Sequence, residues 1–83
     1  MTTVINEEVN VNAFYFAGKE MKVFPRQIEW EGRPVTFAEA GLRMLVRKGS
    51  QLVQLFDMTD GATTYRLKHE GSHWTLVGTR AGA

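Results

Sequence analysis

The chain contains no cysteine. That single absence removes disulfide staples, thiolate metal sites and cysteine nucleophiles together. Proline is scarce, with two residues in 83, so no proline-rich linker or polyproline segment is present. There is no apolar run approaching the ~18 residues that would read as a membrane-spanning helix. The N-terminal stretch MTTVINEEVNVN is polar and carries acids, where a secretory signal needs a basic start and an apolar run of about 7 to 15 residues. These features lead us to expect a soluble cytoplasmic protein with no membrane partner. An excess of charge of one sign is also missing. Ten basic residues stand against nine acidic ones for a net charge of +1, far from the balance that by itself points to nucleic acid. Any basic surface must arise by segregation of charges.

What is present is an ordinary globular composition, 43% apolar with five Phe, two Tyr and two Trp, too rich in large apolar groups to stay disordered. Eighty-three residues make a single domain near the lower size limit for one hydrophobic core, so packing against a second copy is one route to stability. Short apolar runs punctuated by glycine dominate the chain, the pattern of antiparallel strands joined by tight turns. Residues 9–16 form a first strand, and residues 22–30 a second, in which Pro25 marks a strand start, an edge or a bulge. Glu31-Gly32-Arg33 turns the chain into a return strand at 34–37. Residues 51–58, 63–69 and 73–77 are three further strands. The breaks between them, TDGA and EGS, supply the positive backbone angles of hairpin turns. A C-terminal three-stranded meander follows.

Residues 36–51, TFAEAGLRMLVRKGSQ, admit two readings. As a helix over about 37–48, Thr36 is the N-cap, Glu39 sits three residues later, Phe37, Ala40, Met44 and Leu45 share a face, and Gly49 stops it. Gly41 inside that helix costs roughly 1 kcal/mol relative to Ala. As a strand over 42–47, Leu42, Met44 and Val46 share one face and Arg43, Leu45 and Arg47 the other. The succession FPRQIEWEGR, GLRMLVRKG, LVQLFDMTDG, YRLK and HWTL resembles a loosely defined set of short β-rich bacterial proteins with a W-x-G-R turn near the middle and a W-x-L strand at the end. That resemblance spans residues 24 to 77 and implies a strand path through 42–47; it implies no activity. The expected fold is therefore all-β: a small, strongly curled antiparallel sheet or barrel of six or seven strands. The alternative is α+β with one helix at 37–48.

The strand at 51–58 is substantially apolar on both faces. Val53 and Leu55 lie on one with Gln51 and Asp57, and Leu52, Phe56 and Met58 on the other with Gln54. Full burial of a side chain such as Phe56 is worth roughly 1.5 to 3 kcal/mol, so both faces call for cover. We therefore expect a non-catalytic binding or assembly module, associating with itself or another protein through a surface that includes Val53, Leu55 and Leu45. A second reading is a small barrel that binds single-stranded nucleic acid through Arg43, Arg47, Arg66 and Lys68, with Tyr65 and Trp74 to stack bases. Tyr65 and Arg66, being neighbours on a strand, point to opposite faces, which counts against convergence.

His69 and His73 flank Glu70-Gly71-Ser72. In a hairpin closed by that tripeptide they stand opposite or nearly opposite one another, with Cβ atoms roughly 5 Å apart. They are weak metal candidates. Zinc requires at least a third protein ligand, and only a carboxylate such as Glu70 or Asp57 could supply one. The plainer reading is a solvated hairpin tip. No phosphate loop, nucleophile elbow or nucleophile–base spacing occurs, and no cofactor is implied. An enzyme would need a cleft converging on the two histidines.

Overall fold

The computed structural model describes residues 2–82 and is all-β. Its strands are β1 (Thr2–Ala17), β2 (Lys22–Trp30), β3 (Arg33–Thr36), β4 (Glu39–Lys48), β5 (Gln51–Thr59), β6 (Thr63–Glu70) and β7 (His73–Ala81). They form one antiparallel seven-stranded sheet in the order β3-β2-β1-β7-β6-β5-β4. Residues 39–48 are therefore strand, and the helical alternative for 37–48 fails. Gly41 explains the choice locally: a Cβ there would collide with the carbonyl oxygen of Asp57 on β5. The backbones meet at a register shift between Glu39 and Leu42, and only glycine permits the approach.

The expectation of a strongly curled sheet or closed barrel is corrected: the sheet is open and only weakly curled. Among the described residues no ladder joins β3 to β4, so the sheet is open. β1 changes partner along its length. Thr2 to Val9 pair with β7, while Asn10 to Ala17 pair with β2, and register shifts between Val11 and Phe14 follow soon after the change of partner. Bulges of this kind bend a strand and increase its twist. The β2–β1 end of the sheet is thereby brought over the β7–β6–β5 part.

Between the two parts lies the core of Val9, Phe24, Ile28, Phe37, Phe56, Met58, Tyr65, Leu67 and Leu76. Phe24 of β2 meets Phe56 of β5 edge to face, with ring centroids 5.8 Å apart, although three strands separate them in the sheet order. Phe37, fully buried, seals one end of this core. Its backbone N–H donates to the Arg26 carbonyl at 2.9 Å, and the N–H of Ala38 donates to the Thr59 carbonyl at 2.8 Å. The two-residue link between β3 and β4 thus ties the two ends of the sheet at one corner without pairing them. No helix of the described residues is long and apolar enough to cross a membrane.

The first strand is longer than the sequence suggests. Residues 2–8 belong to it because β7 supplies a ladder, not because their own pattern is strand-like.

Candidate association edge

An open sheet has two ends, and these two are built differently. β3 contributes four residues, one of them Pro34, and a short proline-bearing strand is a poor template for further pairing. β4 contributes ten residues, from Glu39 to Lys48, with β5 on one side only. Its pairing to β5 runs without interruption from Leu42↔Asp57 to Lys48↔Gln51 and turns over at Gly49-Ser50, where Gly49 takes a φ of 63°.

Paired residues in an antiparallel ladder project to the same face, so the register sorts the side chains of this hairpin. On the outer face Leu42, Met44 and Val46 line up with Asp57, Leu55 and Val53; on the face that carries the core, Arg43, Leu45 and Arg47 line up with Phe56, Gln54 and Leu52. The hairpin reaches past the core, and its apolar groups are left open on both faces: Leu42 is 67% exposed, Leu45 55%, Val46 43% and Leu52 56%.

The residues singled out in the sequence divide accordingly. Val53 and Leu55 are on the outer face and Leu45 is on the other. Val53 is only 5% exposed although it lies outside the core cluster. It shares a shallow depression with Val46, Arg47, Lys48, Leu55, Lys68 and Glu70, all of its own sheet. Leu42, Val46 and Leu52, exposed like Leu45, were not picked out by the sequence. Their exposure follows from β4 being an end of the sheet, which depends on β1 pairing with β7 and leaves no local signal.

The four cations proposed for nucleic acid do not form one group, although Arg47 and Lys68 line the same depression. Arg43 and Arg47 share the core-bearing face, whereas Arg66, opposite Asp57, and Lys68, opposite Leu55, are on the outer one. Arg66 is also committed. Its Nε and Nη2 donate to the two carboxylate oxygens of Asp57 at 2.7 and 2.8 Å. The hydrogen bond from Arg66 holds the Asp57 carboxyl below its ordinary range, despite partial burial. Lys68 lies 3.9 Å from Glu70. The aromatics offered for stacking are engaged too. Tyr65 is in the core and its hydroxyl donates to Asp60 at 3.0 Å, and Trp74 packs against Phe56, Phe14 and His69.

The histidines are parted by one residue of register. The turn is Gly71-Ser72, not the tripeptide, so Glu70 pairs with His73 and His69 with Trp74. His69 and His73 consequently point to opposite faces. The His69 ring stacks on Trp74 at 4.1 Å and 6°, and its burial pushes its pKa below the ordinary histidine value. His73 Nδ1 is 2.7 Å from Glu8 Oε2. Among the described residues no group of three or more His, Asp or Glu is placed to hold a metal ion. A second depression of about 220 Å³ opens on the outer face over Gly78, between Val4, Arg66 and Arg80, and its one carboxylate, Asp57, is the group already taken by Arg66. Comparison with protein-family models, with curated proteins and with solved structures finds no match for this chain.

Proposed function

We propose that this protein is a non-catalytic assembly module that associates with itself through the open edge of its sheet. The observation that carries the reading is β4: a ten-residue end strand with Leu42, Leu45 and Val46 exposed. Long apolar edges are templates for further strand pairing, and proteins that stay monomeric shorten, bend, cover or charge them. The β3 end is shortened and carries proline; from Leu42 to Lys48, beyond its register shift, β4 is regular and its described deterrents are Arg43, Arg47 and Lys48. A cytoplasmic setting suits a small cysteine-free domain that gains stability from association.

A single strand-to-strand contact is smaller than the ~1,200–2,000 Å² of a standard stable interface, so the expected affinity is on the order of micromolar. Sedimentation velocity across a concentration series tests this. The sedimentation coefficient should rise with concentration, and the double variant Leu42→Lys, Val46→Lys should remain a folded monomer. A wild-type chain that stays monomeric at the highest concentration would refute the reading.

A further inference from the structure

We propose that two copies join antiparallel along β4, about a two-fold axis at Met44, so that two seven-stranded sheets become one continuous sheet. This rests on the self-association reading above and adds a geometry to it. The backbone supplies the first argument. Lys48 and Gln51 flank a two-residue turn, and such a pair exchanges both of its N–H···O bonds. Every second residue from there, Val46, Met44 and Leu42, turns its backbone groups to β5. Arg47, Leu45 and Arg43 turn theirs to the open side, where a second strand would receive them.

Side-chain chemistry then selects the register. A two-fold axis perpendicular to the sheet keeps the outer faces of both copies on one side, so the allowed registers differ by steps of two residues. With Met44 opposite the partner's Met44, Leu42 faces the partner's Val46, Arg43 faces the partner's Leu45, and Arg47 faces the partner's Gly41. No cation stands directly opposite another. One step in either direction sets Arg43 against the partner's Arg43 or against the partner's Arg47, and like charges directly opposite are destabilising. Two steps relieve the clash but shorten the ladder. The selected register uses nearly all of β4 and joins Leu42, Met44 and Val46, backed by Val53 and Leu55, to the same residues of the partner as one apolar stripe.

Another open segment with exposed apolar groups is the β1–β2 hairpin, where Phe14, Phe16, Met21 and Val23 are 44–62% exposed. Its ladder is broken by register shifts between Val11 and Phe14, so it offers no comparable regular edge.

The absence of native cysteine makes cross-linking a clean test. Met44 on the axis is a pair without backbone hydrogen bonds, with Cα atoms about 4.5 Å apart, inside the range a disulfide spans. Under mild oxidation Met44→Cys should form a disulfide dimer about tenfold faster than Leu42→Cys, Val46→Cys or Met21→Cys alone. An equimolar mixture of Leu42→Cys and Val46→Cys should give the mixed dimer, which reads the same register even if Met44→Cys fails to fold. A sedimenting dimer that cross-links no faster through Met44→Cys and gives no mixed dimer, or that cross-links best through Met21→Cys, overturns this register and leaves self-association standing. If the wild-type chain does not dimerise, both fall.

Discussion

Asp60 holds the turn between β5 and β6 with three hydrogen bonds. Its Oδ1 accepts from the backbone N–H groups of Ala62 at 2.9 Å and Thr63 at 2.8 Å, and its Oδ2 from the Tyr65 hydroxyl at 3.0 Å. The two backbone donors, ahead of the tyrosine, hold its carboxyl below the ordinary range. A carboxyl whose folded-state pKa is depressed contributes stability that is present above its unfolded value of about 3.9 and is lost as pH falls through the folded value. Asp60→Ala should therefore cost about 1 kcal/mol in urea denaturation at neutral pH, below the ~1.5–3 kcal/mol of bonds to a charged group because the turn is exposed, and less as the pH drops below about 4. His69 obeys the same sign for a different reason: burial against Trp74 favours its neutral form. Stability should decline as pH falls below the unfolded histidine value of about 6.5, through the folded one, and His69→Gln should flatten that slope in pH-dependent melts. The turn role of Asp60 was legible from TDG. That of His69 was not, because a two-residue and a three-residue closure of EGS differ by one step of register, and one step exchanges faces.

Two glycines let strands approach where a side chain could not fit. A Cβ on Gly78 would lie 2.5 Å from the carbonyl oxygen of Thr3 on β1, and one on Gly41 would strike the Asp57 carbonyl. In each case the obstacle is backbone, which cannot rotate away. Gly78→Ala and Gly41→Ala should each lower the midpoint of urea unfolding by an amount equivalent to roughly 1 to 3 kcal/mol, the range for overpacking. Gly49→Ala, with open space around it, should cost less and act only through its positive φ. Elements with their own apolar rhythm and turn residues were readable from sequence, as β5, β6 and β7 show. The polar first half of β1 was not, since Thr2 to Glu8 become a strand through pairing with β7. The standing of β4 as an edge was hidden for the same cause, because strand order is a property of distant pairings.

At the scale of the whole molecule, charge and association are coupled. The proposed assembly draws Arg43, Arg47 and Lys48 of both copies to one seam, so their repulsion weakens as the Debye length shrinks from about 14 to about 4 Å between 0.05 and 0.5 M salt. Self-association measured by sedimentation should tighten with salt over that range. Binding of single-stranded nucleic acid by the same cations would loosen instead, through the release of counterions.

The most direct measurement is hydrogen exchange of individual amides as a function of protein concentration. If β4 is the association edge, the outward amides of Arg43, Leu45 and Arg47 exchange rapidly in dilute protein and become protected as concentration rises, while amides of β3 remain unchanged. Exchange at Arg43, Leu45 and Arg47 that is independent of concentration, or protection that grows at Phe14 and Phe16 instead, would contradict the account.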